Sequence, residues 1–459
     1  MKSALAVLGI LFAVSQQRAF SAVIHHVDGL SPDQKTRAAT ISVPPGGDVQ
    51  RAVNTAKCGD TVVLTAGARY VVGELTLPAK PCAVTLTSSL ALPERRIESA
   101  DAPLLPILAS GNNGHVINGT KAAHWRLVGL QIEATANGAG EVVTLQDADD
   151  IVMDRLLIVG GPNGQKRAIR GNGTNITLTR SHVANIWAGG QDSQAFCAWD
   201  GAGPYTITDN YLEAASENVM FGGSDSRSAE RIPADILVEG NLFTKRLEWK
   251  PVPPATVSGK VVKNLFELKA ARRVVVRKNT FERSWTDAQT GYAISFKSVN
   301  QGGTAPWSVT EDVLFENNVV RDVANGFNIQ GVASDQPGGR TTRITIRGND
   351  VQTAGVAVQI TGGPGAVTID RTTFVNGSTF LQLGGSPIAS LTVTNTLANH
   401  NAYGVKGDGT GIGTASLAKF APGYVWKQNV LLGGAGKGSY PAETWFDAGA
   451  VPAGISVGR

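Results

Sequence analysis

The sequence predicts an all-β chain built as a long ladder of repeats, and three observations carry that reading. Glycine is abundant (54 of 459 residues), whereas aromatic residues make up 6% and charged residues 17%, a balance that suits many short strands and turns. A six-residue pattern of apolar, any, turn-forming, variable, any and apolar residues recurs ten times along the chain. Five consecutive copies carry Asn at the fourth position, in one column.

From the N-terminus, an apolar run from Ala4 to Val14 follows Lys2 and precedes a small-x-small site at Ala19-Phe20-Ser21, which reads as a secretory signal over residues 1–21. The run is shorter than the roughly 20 residues a spanning helix needs, and no later segment qualifies, so a secreted protein, periplasmic or extracellular, without a membrane span is expected. Loss of Lys2 and Arg18 takes the net charge from +4 to +2, too weak a field to suggest a nucleic-acid partner. In an oxidising compartment Cys58 and Cys82, 24 positions apart, are expected to pair, leaving Cys197 as a buried thiol. Residues 22–40 form a leader containing the pair His25-His26; the other histidines are scattered, with no metal-ligand spacing. No Gly-x-Ser-x-Gly elbow or phosphate loop is present.

The repeats begin with "LVGLQI" at Leu127 and continue through "VMDRLL", "LTRSHV", "ITDNYL", "VEGNLF", "VRKNTF", "FENNVV", "IRGNDV", "IDRTTF" and "VTNTLA". Their fourth positions are Leu130, Arg155, Ser181, Asn210, Asn241, Asn279, Asn318, Asn349, Thr372 and Thr396, with separations of 23 to 39 residues. The shorter separations fit a coil of three short strands and three turns. Flanking β-branched residues alternate with polar ones as half-buried strands require. Asn tolerates left-handed backbone, so this column is expected to form the corner between two strands and to stack as a side-chain ladder.

This pattern resembles the right-handed parallel β-helix of the pectate-lyase-like superfamily over roughly residues 41–410. The resemblance implies a single-domain solenoid whose coils bury their faces only against one another. "GGDVQRAVNTAKCGDTVVL" then supplies an N-terminal capping helix near Asp48 to Lys57, and residues 411–459, with Trp426 and Trp445, a C-terminal cap. Cys58 and Cys82 would sit on adjacent coils, within the ~5.5 Å Cα separation of a disulfide.

Secreted β-helix enzymes of this kind bind linear polymers along one outer face, so the outward residues of the strand after the Asn corner and the next strand are the candidates. Period 2 places Glu267 and Lys269 outside in "FELKA", Ser295 and Lys297 in "SFKSV", and Asn328 and Gln330 in "FNIQG". Gln359, Thr361, Gln382 and Lys406 extend the polar track. Lys269 and Lys297 share a column, about 5 Å apart at their stems, which lowers one pKa toward that of a general base; Glu267 tempers this by pairing. Insertions at residues 244–263 and 301–312 bring Trp249 and Trp307, and a corner loop adds Trp285, as platforms for sugar rings. The basic run Arg272, Arg273, Arg277 and Lys278 falls on another face and reads as solvated.

"AISFKSVNQ" also resembles the "KS..N" segment of alginate and chondroitin lyases of the chondroitinase B type, whose lysine abstracts the proton beside a uronate carboxylate; by that match Lys297 is the base. The resemblance raises calcium as a cofactor, although Thr290 and Tyr292 stand where that family has acidic ligands and Gln330 where it has arginine; the residues themselves call for no cofactor. The leading expectation is a secreted polysaccharide lyase acting as a monomer on an acidic, uronate-containing polysaccharide by β-elimination. Catalysis would rest on Lys297, Lys269 and Glu267, and substrate binding on Asn328, Gln330, Gln359, Asp225, Trp249, Trp285 and Trp307. The alternatives are a non-catalytic polysaccharide-binding or cell-surface protein, and a glycoside hydrolase using Asp225 and Glu267, with Asp200 and Asp149-Asp150 in reserve.

Overall fold

The computed structural model describes residues 38–110, 115–133, 138, 140–255, 257–434 and 437–450. The expected signal and most of the leader, with His25-His26, lie outside the described residues. Three parallel sheets of 14, 12 and 14 strands account for the fold. Each coil runs through a back sheet, a side sheet and a front sheet: Ala123–Val128, Gln131–Glu133 and Glu141–Thr144 are one such set. The next back strand, Ala148–Asp154, then lies on the previous one, with Ile151 opposite Trp125 and Met153 opposite Leu127. The chain is therefore a parallel β-helix. No helix among the described residues is long and apolar enough to cross a membrane.

Alternation drives this stacking, because one set of side chains in each strand has no shelter except the neighbouring coil. Val276 faces Val238 below and Phe315 above, and all three are fully buried. The same apolar cluster continues from Val43 to Tyr440. A column of phenylalanines fills its middle: the rings of Phe243 and Phe281 stack at 4.4 Å, and Phe315 follows at 5.4 Å. Burial of each ring contributes roughly 1.5–3 kcal/mol.

The Asn column sits at the corner between back and side sheets. Asn210 donates through Nδ2 to Oδ1 of Asn241 (2.9 Å), Asn241 to Asn279 (3.0 Å), Asn279 to Asn318 (3.0 Å) and Asn318 to Asn349 (3.1 Å). Each Oδ1 also accepts the backbone N–H of the preceding coil's Asn, so Asn241, Asn279 and Asn318 are bound from both sides. One expectation needs correcting. The left-handed residue of the corner is the one before each Asn: Asp209 (φ 57°), Gly240 (71°), Lys278 (55°), Asn317 (54°) and Gly348 (63°). The sharp bend is made there, which frees the Asn to turn its amide inward, where two donors and an acceptor are needed.

Near the start, a helix spans Val49–Thr55, with Asp48 accepting from the backbone N–H of Arg51 at 2.8 Å and Val49, Ala52 and Val53 buried. Cys58 and Cys82 are joined, their Cα atoms 5.2 Å apart. Beyond residue 410, helix Thr414–Phe420 packs on strand Val405–Gly407, and strands Val425–Lys427, Asn429–Leu432 and Thr444–Trp445 continue the back and side sheets.

Candidate active site

Front-sheet register brings the candidate residues into two columns. In one, Glu267 faces Ser295, which faces Asn328, then Gln359, Gln382 and Lys406. Leu268 faces Phe296, which faces Ile329, so the residues that follow them, Lys269, Lys297 and Gln330, line the second. Among the described residues, Asn328, Gln330, Gln359 and Gln382 are half-buried amides whose side chains have no hydrogen-bond partner in the protein.

Glu267 lies at the centre, fully buried. Its Oε1 is 2.8 Å from Nζ of Lys297, and its Oε2 is 3.9 Å from Nζ of Lys269. Burial works to raise its pKa, but the two ammonium groups outweigh burial and hold it below the ordinary carboxylate range. Lys269 shows the converse. Burial works against its charge, yet Glu267, Glu217 and Asp192 hold it above the usual lysine value. Lys269 therefore stays protonated, contrary to the expectation that like charge would make it a base: a carboxylate between the lysines screens each from the other.

Further charged groups join this cluster without having been read from the sequence. Glu217, one coil before Glu267, accepts from Nε2 of Gln194 at 2.8 Å, and Lys263 lies 2.6 Å from Asp192 and 3.9 Å from Glu217. Burial first, then the charges of Glu267 and Asp192, push Glu217 up to about 7. Beneath them the ammonium of Lys245, fully buried, donates to the carbonyls of Ala214 (2.9 Å), Ala215 (2.8 Å) and Ser216 (2.7 Å) and to Oδ1 of Asn218 (3.0 Å). That contact ties the insertion to the strand carrying Glu217. One strand lower in the sheet, the Cys197 thiol is buried and pushed up to about 11 by that burial, hence unreactive.

The other expected site residues divide. Asp225 accepts from the backbone N–H groups of Gly302 and Thr304, both 2.8 Å, and from the Thr304 hydroxyl at 2.6 Å, so it pins the insertion instead of facing a groove. That insertion does border the track: Nζ of Lys269 reaches Oε1 of Gln301 at 3.4 Å, and Trp307 donates to the Ser226 hydroxyl at 3.0 Å. Trp249 and Trp285 do not line the lysine end. They are 3% and 7% exposed, packed with Ala215 and Val262 where the front strands begin, whereas the lysines lie where those strands end. Trp285 also walls a separate cleft of about 440 Å³ with Lys250 and Arg321. Asp200 is bracketed by Arg227 (2.6 Å) and Arg231 (2.8 Å), and Asp150 by Arg126 and His124, both 2.8 Å. The exposed Asp149 meets the Thr174 hydroxyl on the next back strand.

A calcium ion does not fit this donor set. Among the described residues no three His, Cys, Asp or Glu side chains converge as metal ligands, and Glu267 is already flanked by two cations.

No protein-family model and no curated protein matches the sequence. Solved structures do. A mannuronic acid specific polysaccharide family 6 lyase from human gut microbiota aligns with a TM-score of 0.50 at 13% identity, covering 91% of this chain and 89% of that one. The hyperthermoactive exopolygalacturonase of Thermotoga maritima aligns with a TM-score of 0.51 at 13% identity, covering 75% and 85%. At that identity the likeness is one of fold, and with the three parallel sheets it makes this chain similar to these parallel β-helix proteins.

Proposed function

We propose that the protein is a secreted, carbohydrate-active β-helix that binds an acidic polysaccharide along the front sheet and cleaves it by β-elimination. The observation that carries this reading is the pair Lys269 and Lys297 around one buried carboxylate, at the head of a run of unpaired amides. In this reading Lys269, held protonated, neutralises the uronate carboxylate and so acidifies the C5 proton. Lys297, its side chain 19% exposed, enters the step as the free amine after its ammonium proton has passed to solvent, and takes the C5 proton; the C4–O bond breaks as the C4–C5 double bond forms, and the departing oxygen takes a proton from water. Asn328 and Gln330 bind the neighbouring sugars, and the helix Val49–Thr55 serves as the cap of a single-domain solenoid.

A recognition role without cleavage is the second reading, favoured by the ion pair of Lys297 with Glu267 at 2.8 Å, which holds that lysine as a cation suited to binding an anion. A hydrolase pair of Asp225 and Glu267 suits the geometry poorly: one carboxylate is consumed by loop N–H groups, and the other is held ionised and out of contact with solvent. The test is incubation with a panel of acidic polysaccharides, followed by ultraviolet absorbance of the unsaturated uronate beside a reducing-end assay. Both signals should rise with wild type. Reducing ends without absorbance would contradict elimination, and binding with neither signal would support recognition alone.

A further inference from the structure

Two arginines lie lower on the same front sheet, in strand Arg167–Arg170, and differ in one respect. Arg167 is committed, with its guanidinium donating to Oε1 of Gln194 at 2.9 Å and to Glu141 at 2.8 Å. Arg170 is not. Its nearest carboxylate, that of Glu141, is 3.7 Å away, and its Nε is buried without a hydrogen-bond partner. Both guanidinium groups sit over the ring of Trp199, at 5.3 and 5.9 Å from its centroid, which fixes their planes against a half-buried aromatic face.

Trp199 stands in the lysine column. Ala198 faces Phe221, and Phe221 faces Leu268, so the following residues, Trp199, Gly222 and Lys269, succeed one another up the sheet. At Gly222, with φ of 94°, a Cβ would come 2.6 Å from the backbone nitrogen of Ala270 and 2.8 Å from Cβ of Lys269. No side chain fits there, so none stands between Trp199 and Lys269 in this column.

We infer that Arg170 and Trp199 form a second subsite for an anionic sugar, with Trp199 stacking on the ring and Arg170 pairing with its carboxylate. The polymer then runs along the helix axis from Arg170 to Lys297, across five strands and about 19 Å. An extended glycan advances by a length close to the ~4.8 Å strand spacing, so several sugars are held at once. This extends the reading of the ligand as an acidic polysaccharide by giving its direction and least length.

The experiment is calorimetric titration of the full chain with galacturonate and mannuronate oligomers, from disaccharide to hexasaccharide. Arg170→Gln should weaken hexasaccharide binding about tenfold, equivalent to roughly 1.4 kcal/mol, and leave disaccharide binding at the lysines unchanged. Arg170→Lys, which keeps the charge but loses the planar fork, should recover part of the loss. Wild-type hexasaccharide affinity in Arg170→Gln, or an equal loss for both lengths, would overturn the subsite. The double variant Lys269→Gln/Lys297→Gln separates the two ideas: if it binds the disaccharide like wild type, the lysine reading fails whatever Arg170 does. Failure of wild type to bind any of these oligomers would overturn both.

Discussion

The back and front sheets both carry charge, but they dispose of it differently. On the back sheet most arginines meet an acid across one strand spacing, as Arg273 does with Asp235 at 2.6 Å, Arg277 with Glu239 at 2.8 Å and Arg347 with Glu316 at 2.5 Å, while Arg272 shares Glu311 with Arg343. On the front sheet one buried Glu267 serves two lysines, Glu217 is pushed toward neutrality, and Arg170 has no aligned partner. Paired charge at a surface adds little to stability and offers little to a ligand. Unevenly paired, partly buried charge is what an anionic polymer can complete.

The largest effect that would break this contrast is on turnover. Lys297→Gln, which keeps a hydrogen-bond donor within reach of Glu267, should lower the rate of unsaturated-product formation about a thousandfold, the scale of a lost general base, with a much smaller change in melting temperature than loss of Glu267 itself causes. A matching loss of stability would make Lys297 a structural residue. Next in size, Glu267→Ala leaves two half-buried ammonium groups without their counter-charge and should destabilise the chain by about 3 kcal/mol in chemical denaturation. Glu217→Gln sharpens the contrast through pH. Its folded-state pKa, about 7, lies above the ordinary 4.5, so the carboxyl favours folding below the lower value and loses that contribution as pH rises through 7. The variant should therefore melt higher than wild type above pH 7 and show no such gain at acidic pH. Smallest is the back-sheet control: Arg273→Ala removes a pair whose side chains are 44% and 46% exposed, and should cost less than ~0.5 kcal/mol.

Much of the coil was legible because burial imposes one rule on every turn. The apolar pairs around each corner, and an amide column at a site where only stacked hydrogen bonds can satisfy buried polar groups, repeat in the sequence as they repeat in space. The bend itself was displaced by one residue, since Asp, Gly, Lys and Asn all take the left-handed position and no single residue type marks it. In the front sheet, period 2 held from Phe266 onward and placed Lys269 and Lys297 correctly in one column. It fails in strand Arg167–Arg170, where Ala168 and Ile169 both enter the core and both arginines face out, so alternation read from Arg167 would have buried Arg170. Carrying the outward reading back through the earlier coils would have met Trp199 but not Glu217, which shares the inward parity of Val219 and Phe221. Lys245 carries no such mark: a lysine enclosed by carbonyls is a tertiary fact. Trp249 and Trp285 were misjudged because insertions with tryptophans can fold onto themselves as readily as beside a groove.

The most direct test of a front-face site is affinity electrophoresis of the wild type, Lys269→Ala/Lys297→Ala and Arg273→Ala/Arg277→Ala through gels containing an acidic polysaccharide. Both double variants lose two positive charges, so net charge is matched between them. Retardation should disappear for the front-sheet variant and persist for the back-sheet one. Equal loss in both would show that the polymer senses overall charge, and persistence in the front-sheet variant would contradict a site at these lysines.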